Sequence, residues 1–152
     1  MSRVEELEKG RGLGCFLMKV RREVQGVIFR KGDDGKEVLL VKKLGLKSHR
    51  YLWRLLKGGV ETGETERQAL EREIFEEVGL RNVRVLGKIR EYSFIFGGTQ
   101  HYVSTFSVEA DPDENVEFRT AEVVDCAWAK RQQALQMLHW KDEKQVIKLL
   151  EE

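Results

Sequence analysis

The stretch that decides the fold is residues 56–80, LKGGVETGETERQALEREIFEEVGL, because it combines recognisable helix ends with an unusual charge pattern. Thr65 is followed three residues later by Gln68, which is the form of a capping box. Gly79 stands where a helix often ends in a residue of left-handed conformation. The sequence therefore predicts a helix of about four turns over residues 65–78.

The predicted helix has an apolar side and an acidic side. At roughly 100° per residue, Leu70, Ile74 and Val78 fall on one stripe, which predicts packing against a core. Another stripe carries three carboxylates, those of Glu73, Glu76 and Glu77. Like charges three and four residues apart destabilise a helix by roughly 0.2–0.5 kcal/mol per pair, so this pattern requires a compensating interaction.

Two interpretations of the acidic stripe remain open at this point. A divalent cation would offset the repulsion, and magnesium or manganese is favoured over zinc because no histidine or cysteine falls on this face. Alternatively, Arg72 pairs with Glu76 at i, i+4 and the stripe is a solvated surface. The preceding loop favours the cation, since Lys57, Gly58, Gly59 and Gly63 allow backbone to approach a metal or a phosphate closely.

Strand-like runs flank the helix on both sides. Residues 23–30, EVQGVIFR, and residues 37–43 are separated by turn residues, which predicts a hairpin. Residues 83–96 and 99–108 predict a second hairpin, because Gly97 and Gly98 suit the positive φ angles of a tight turn. A strand is predicted over residues 122–128, and spacings of three and four predict helices within 134–150. Hairpins around one helix favour an α+β fold with a mixed sheet.

Length and composition predict one globular domain. A chain of 152 residues can bury a core without disulfides, and 41% hydrophobic with 35% charged residues argues against both disorder and a membrane span. Lysine plus arginine (27) nearly cancels aspartate plus glutamate (26), so we expect neither a membrane nor a stable nucleic-acid partner. Residues 1–20 are interpreted as an N-terminal extension, since glycines interrupt them, and residues 21–152 as the domain.

The cysteines and the N-terminus indicate the compartment. Cys15 and Cys126 lack the CxxC spacing of a zinc site, and the first residues do not have the pattern of a signal peptide. We therefore expect a reduced, cytoplasmic setting in which both thiols fill the core.

The glutamate-rich segment resembles the signature of the Nudix hydrolases. That family is defined by Gly, five residues, Glu, seven residues, and then Arg-Glu-apolar-x-Glu-Glu-x-Gly-apolar. Every specified position is filled here, by Gly58, Glu64, Arg72, Glu73, Ile74, Glu76, Glu77, Gly79 and Leu80. The order of strands and helices also looks like that of a Nudix domain. The resemblance implies an α/β/α sandwich with a central mixed β-sheet.

The resemblance also implies roles for the motif residues. In the family, magnesium is bound by the backbone carbonyl matching Gly58 and by the carboxylates matching Glu73, Glu76 and Glu77, with manganese as a possible substitute. Arg72 would orient a glutamate, Glu64 would brace the loop against the helix, and Gly79 would have a structural role. The implied reaction is substitution by water at phosphorus in a phosphoanhydride bond.

Residues outside the motif complete the implied site. The general base that takes a proton from the attacking water is either a glutamate of the helix or a carboxylate in a later loop. For the later carboxylate we favour Glu122, with Glu117 and Asp125 as alternatives. Lys57 is a candidate for phosphate binding. The nucleobase of a substrate would stack on an aromatic side chain, and such stacking contributes about 1–3 kcal/mol of binding free energy. The candidates are Tyr92, Phe94 and Tyr102. Because residues two apart on a strand share a face, Tyr92 and Phe94 are equally compatible with a core position.

The segment Trp53-Arg-Leu-Leu-Lys-Gly-Gly59 resembles the Trp-x-x-Pro-Lys-Gly segment of the diadenosine polyphosphate hydrolase branch, although Leu56 replaces the proline. This resemblance implies hydrolysis of a nucleotide substrate of the dinucleoside polyphosphate type, such as diadenosine tetraphosphate. The alternatives are cleavage of ADP-ribose or another nucleotide sugar, and removal of pyrophosphate from nucleoside triphosphates. A nucleotide-sensing domain without turnover is the non-enzymatic alternative, and a homodimer is possible because many relatives dimerise.

Overall fold

The chain folds into a mixed sheet with helices on both sides. The computed structural model describes residues 2–8, 15–45 and 49–150, whose strands form an eight-stranded sheet. The strands are β1 (Ser2–Glu8), β2 (Cys15–Gly32), β3 (Gly35–Leu44), β4 (Tyr51–Arg54), β5 (Leu56–Gly59), β6 (Val83–Phe96), β7 (Thr99–Ala110) and β8 (Val123–Lys130). The helices are α1 (Glu66–Val78), α2 (Arg131–Met137) and α3 (Lys141–Leu149).

The long strand β2 organises the sheet. The order is β4-β3-β2-β7-β6, with β8 paired to β3. β2 runs parallel to β7, whereas the other pairs are antiparallel. Because β7 follows one edge of β2 continuously from Lys19 to Phe29, the strands β1, β5 and β3 follow one another along the opposite edge. This arrangement brings the glycines of β5 into the sheet beside Glu23 and Val24.

Two apolar clusters make the sheet the middle layer of an α/β/α sandwich. Side chains alternate between the faces of a strand, so β2 and β3 contribute to both clusters. One cluster joins residues such as Val24, Ile28 and Val41 to α1, and the other joins residues such as Val27 and Leu40 to α2 and α3. The predicted α+β sandwich with a central mixed sheet is therefore confirmed.

Most of the predicted elements are found. The β2–β3 hairpin turns at residues 33–34, and β6 and β7 are joined by Gly97 and Gly98, whose φ angles are 59° and 77°. The strand β8 and the two C-terminal helices also lie where the sequence predicts them. The sequence analysis did not predict β4 and β5, which are four residues long each.

The N-terminal residues contain regular structure that the sequence did not indicate. β1 pairs antiparallel with the first residues of β2, from Ser2↔Arg21 to Glu8↔Cys15. Residues 9–14, with the glycines that were taken to interrupt regular structure, lie outside the described residues. Part of the predicted extension is thus continuous with a strand of the central sheet.

The two cysteines were expected to fill the core. Cys126 is partly buried against the α1-side cluster, and burial raises the pKa of its thiol to about 12. The side chain of Cys15 lies outside the described residues.

Both ends of α1 have the predicted caps. The Thr65 hydroxyl accepts a hydrogen bond from the Gln68 amide, and the Gln68 side chain accepts one from the Thr65 amide, so the capping box is complete. Gly79 ends the helix in the left-handed region at φ 74° and its amide donates to the Phe75 carbonyl. These caps fix where the helix begins and ends.

Gly79→Ala is expected to lower the free energy of unfolding by roughly 1–2 kcal/mol, because a side chain disfavours the left-handed conformation. The added Cβ would also lie 3.3 Å from Glu117 Cβ and from Arg119 Cδ. Urea denaturation monitored by circular dichroism measures the loss. Gly87→Ala is the control, since a Cβ there meets no described atom within 4 Å. Equal losses in the two variants would contradict the assigned role of Gly79.

Candidate active site

Arg72 ties the loop that precedes α1 to the helix. Its guanidinium binds both carboxylate oxygens of Glu64, Nε to Oε2 at 2.7 Å and Nη2 to Oε1 at 2.9 Å. Nη2 also donates to the Gly59 carbonyl at 2.8 Å, and the Glu61 amide donates to Glu64 Oε1. Such bidentate pairs are among the stronger and more directional polar contacts. Glu64 and Arg72 therefore connect the loop to the helix, which is the role that the resemblance implies for Glu64.

The Glu64 carboxyl is held ionised by this contact, because hydrogen bonds from Arg72 lower its pKa from 4.5 to about 2. A lowered folded-state pKa contributes stability above the unfolded value, and this contribution is lost as the pH falls through the folded value. We expect the wild-type protein to melt at a higher temperature than Glu64→Gln above about pH 5. The difference should shrink toward pH 2, whereas Glu71→Gln, at an exposed ion pair, should show a small difference throughout. Calorimetry across this pH range is the measurement, and a constant gap would contradict it.

Gly58 and Glu73 are in close contact across β5 and α1. A Cβ built on Gly58 would lie 2.1 Å from Glu73 Cδ and 2.5 Å from its Oε2. The carboxylate therefore occupies space that is open only because residue 58 has no side chain. The β5 backbone and a carboxylate of α1 therefore lie side by side. A metal site that combines a backbone carbonyl with carboxylates requires this proximity.

Glu77 is buried, although the sequence analysis placed it on a common acidic stripe with Glu73 and Glu76. Its side chain is 5% exposed and forms an ion pair with Lys43 of β3. Burial raises the pKa of Glu77, and the Lys43 ammonium opposes this shift. Lys43 approaches Oε1, but no donor among the described residues is aligned for a hydrogen bond with that atom. A buried carboxylate oxygen without an aligned donor is costly unless another partner binds it.

Glu73 and Glu76 are held by Arg72. Its Nη1 donates to Glu73 Oε1 at 2.9 Å and to Glu76 Oε2 at 3.2 Å. The pairing of Arg72 with Glu76 that the solvated-surface interpretation requires is present, but Arg72 also binds Glu64, Glu73 and Gly59. Within residues 2–8, 15–45 and 49–150, no three His, Cys, Asp or Glu side chains converge into a preassembled metal centre.

The residues present nevertheless fit a divalent cation. Glu77 has a buried oxygen whose contact is the ion pair with Lys43, Gly58 leaves room beside Glu73, and the side-chain and backbone groups available are oxygens of the kind that magnesium and manganese prefer. Glu77 is paired with Lys43, whereas Glu73 and Glu76 share Arg72 with Glu64, so cation binding requires these carboxylates to exchange partners.

Of the candidate bases, Glu122 lies near this group. It is exposed immediately before β8, and its charge raises the pKa of Glu77. Glu117 instead lies against the end of α1, where its amide donates to the Val78 carbonyl. Asp125 is exposed and accepts a hydrogen bond from the Cys126 amide. These positions favour Glu122 over its two alternatives.

The predicted substrate-binding residues divide between the two faces of the sheet. Lys57 and Gly58 are consecutive in β5 and project to opposite faces. The Lys57 ammonium lies 4.8 Å from the centroid of the Phe94 ring. The Tyr92 ring stacks on Phe94 with ring centroids 6.3 Å apart. Tyr102 projects from the other face, where it lines a crevice with Arg22, Glu66 and Ser104 that Tyr92 also borders. The Tyr102 ring is therefore on the face opposite to the Phe94 ring.

A polar cluster around Glu23 was not predicted. Its buried carboxylate accepts a contact from His101 Nδ1 at 2.8 Å and lies 3.7 Å from Lys57 Nζ and 3.5 Å from Arg21 Nε. His101 stacks on Phe94 with ring centroids 4.6 Å apart. The alternation of Arg21, Glu23 and Gln25 in β2 was the available sequence signal, since it indicates a polar row on one face.

A second unpredicted network joins α3 to the sheet. Glu143 is fully buried, accepts hydrogen bonds from the Leu55 amide at 2.8 Å and from Gln25 Nε2 at 3.3 Å, and lies 3.7 Å from Arg54 Nε. The hydroxyl groups of Tyr92 and Thr105 donate to the side-chain oxygen Oε1 of Gln25. Burial raises the pKa of Glu143, and Arg54 opposes the shift. Through Arg54 and Leu55, this network fixes the segment that leads to Lys57 and Gly58 against α3.

Comparison with known proteins identifies the family. The NUDIX domain model matches residues 20–150, which confirms the resemblance of the motif. The MutT4 protein of Mycobacterium tuberculosis is 32% identical over 111 residues, covering 68% of this chain and 42% of the relative. An RNA pyrophosphohydrolase of Francisella philomiragia is 46% identical over 50 residues, 32% of each chain. The chain thus spans less than half the length of these two relatives.

A solved structure supports the same fold. The Caenorhabditis elegans Ap4A hydrolase in a binary complex aligns with a TM-score of 0.75 and 20% identity, covering 85% of this chain and 93% of the other. In the part of the chain that the structure describes, no helix is both long and apolar enough to cross a membrane. The match of the family model over most of the chain shows that this protein belongs to the NUDIX domain family.

Proposed function

We propose that this protein is a metal-dependent hydrolase of phosphoanhydride bonds in a nucleotide substrate. The observation that carries this proposal is the buried Glu77 carboxylate, which is ion-paired with Lys43 and lies in the same helix as the Glu73 carboxylate that contacts Gly58. Replacing both partners of a buried ion pair by apolar residues is often neutral or stabilising, so the buried Glu77–Lys43 pair indicates a use other than stability. The relatives named RNA pyrophosphohydrolase and Ap4A hydrolase support hydrolysis at phosphorus.

Four groups would hold the cation: the Gly58 carbonyl and the carboxylates of Glu73, Glu76 and Glu77. Magnesium is the expected ion and manganese a substitute. When bound, the ion supplies neutralisation of phosphate charge and a water of lowered pKa.

The other motif residues prepare this region. Arg72 and Glu64 hold the loop against α1, which keeps the Gly58 backbone beside Glu73. A carboxylate oxygen of Glu122 accepts the proton that the attacking water loses, because Glu122 is exposed and close enough for its charge to act on Glu77.

The segment from Trp53 to Gly59, which resembles that of the diadenosine polyphosphate hydrolases, favours a dinucleoside polyphosphate such as diadenosine tetraphosphate. A cation beside an aromatic ring suits a phosphate that is followed by a nucleoside base, and Lys57 and Phe94 would bind them once a phosphate replaces Glu23 beside Lys57 and the base replaces His101 on the ring. This pair lies on the sheet face opposite to Gly58, and β5 pairs with β2 alone among the described strands. A substrate that reaches both sites across the open edge of β5 needs a long phosphate chain. ADP-ribose, with two phosphates, and nucleoside triphosphates are the shorter alternatives.

The 5′ end of RNA is a second candidate substrate, because RNA pyrophosphohydrolases are among the relatives that match. A triphosphorylated RNA end also presents a phosphate chain followed by a nucleoside. The basic side chains near Lys57, which include Arg21 and Arg54, would then face the next phosphates of the strand.

Product analysis over a substrate panel tests the proposal. The panel contains diadenosine tetraphosphate, ADP-ribose, nucleoside triphosphates, triphosphorylated RNA and an inositol pyrophosphate, each with magnesium, with manganese and with chelator. We expect metal-dependent formation of ATP plus AMP from the first substrate. Faster cleavage of another member would replace the substrate assignment. Nucleotide binding without turnover of any member would support the sensing alternative.

A further inference from the structure

Lys43 follows the apolar residues of β3 that face α1, and its side chain reaches Glu77 of the proposed metal site. Leu39 and Val41 belong to the α1-side cluster, and Lys43 follows them at the same alternation. Its cross-strand neighbours are Leu52 of β4 and Val123 of β8. The adjacent Lys42 projects to the other face, where its ammonium lies 5.4 Å from the Trp53 ring centroid. Lys43 therefore differs from the neighbouring lysine in the face that it occupies.

The Lys43 ammonium is directed at a carboxylate that a cation would need. Its side chain is only 19% exposed, and it forms an ion pair with Glu77, which is 5% exposed. The contact is to Oε1, the oxygen that lacks an aligned hydrogen-bond donor. Lys43 thus supplies the counter-charge of Glu77 at the oxygen that a cation would also approach.

A lysine in this place has two opposite effects. In the metal-free chain it stabilises the fold, because a buried carboxylate without a counter-charge is strongly unfavourable. Toward a divalent cation it is unfavourable, since it occupies the same oxygen and places a like charge beside the incoming ion. Both effects act through Glu77, so they change together when the charge of Lys43 is removed.

We propose that Lys43 is a positioning residue that holds Glu77 in the metal-free chain and is displaced when a divalent cation binds, so that it lowers the cation affinity. This inference rests on the proposed function, because it takes Glu77 to be a metal ligand. It goes beyond that function by assigning the metal affinity to a residue outside the glutamate motif.

Three variants separate these effects. Lys43→Met removes the charge and keeps most of the apolar stem, Lys43→Arg keeps the charge, and Lys42→Met removes the neighbouring charge on the opposite face. Magnesium and manganese binding is measured by titration calorimetry without substrate, and the melting temperature is measured in chelator.

Lys43→Met is expected to melt a few degrees below the wild type in chelator and to bind magnesium about tenfold more tightly. Lys43→Arg and Lys42→Met should retain the wild-type affinity. General damage to the site would weaken binding, so tighter binding is not explained by a purely structural role. Unchanged or weaker binding by Lys43→Met would overturn the inference.

The experiment also separates this inference from the proposed function. If the wild type binds neither magnesium nor manganese, the metal-dependent function itself fails. If the wild type binds metal but Lys43→Met binds it no more tightly, only the role of Lys43 fails. Should Lys43→Met not fold in chelator, Lys43→Gln, which retains a donor near Glu77, replaces it, and the same tightening is expected.

Discussion

Replacing Glu77 by glutamine is expected to lower kcat by about 100-fold or more, and Glu76→Gln should have a similar effect. Glutamine keeps the size of the side chain but removes the negative charge that binds a cation. At position 77 the loss is greatest because the side chain is buried, so water does not compensate for a missing ligand. Initial rates over a range of magnesium concentrations measure the effect.

The matched control lies on the same helix. Glu71→Gln removes a carboxylate whose ion pair with Arg67 is exposed, so its kcat should stay within about twofold of the wild type. Circular dichroism establishes that all three variants are folded. Full activity of both Glu76→Gln and Glu77→Gln would refute the roles assigned to these glutamates.

Gly58→Ala is expected to abolish most activity with little loss of stability. The new Cβ would lie 2.1 Å from Glu73 Cδ and 2.3 Å from its Cγ, so this side chain must move. Because the displaced atoms are the end of a flexible side chain, the fold accommodates the change, whereas the carboxylate leaves its place beside the β5 backbone. We expect kcat to fall by about 100-fold, since misplacing a catalytic group by about 1 Å has effects of that size.

Magnesium affinity distinguishes this explanation from general damage. Gly58→Ala should weaken magnesium binding by about 10–100-fold while its melting temperature falls by only a few degrees. Gly87→Ala, which adds a Cβ in open space, should change neither quantity. A large loss of stability without a change in metal affinity would show that Gly58 serves only packing.

The elements with strong local signals were predictable. The capping box at Thr65, the left-handed Gly79 and the pair Gly97-Gly98 depend on interactions within a few residues, and each was found as predicted. The short strands β4 and β5 were not predicted, because four residues give too little periodicity. β4 pairs with β3 and β5 pairs with β2, so each short strand is defined by its partner and not by a pattern within its own four residues.

The aromatic residues show a second limit. Alternation along a strand correctly places Tyr92 and Phe94 together, but it does not give the register between β6 and β7. Since His101 is opposite Phe94 and Tyr102 is opposite Ser93, Tyr102 falls on the other face. Register in this part of the hairpin is set by the turn at Gly97 and Gly98, because the pairing from Glu91 to Phe96 is uninterrupted, and a shift of one residue would have reversed this assignment.

The sequence by itself determined the family motif, the ends of α1 and the set of acidic residues, because these depend on neighbours along the chain. Only the tertiary structure decided that Glu77 is buried, that Lys43 is its partner, and that Glu73 packs against Gly58. It also decided that Glu143 supports the segment before Gly58. The physical reason is that burial and ion pairing depend on which strands meet α1 and α3 in space, and helical periodicity alone does not contain that information.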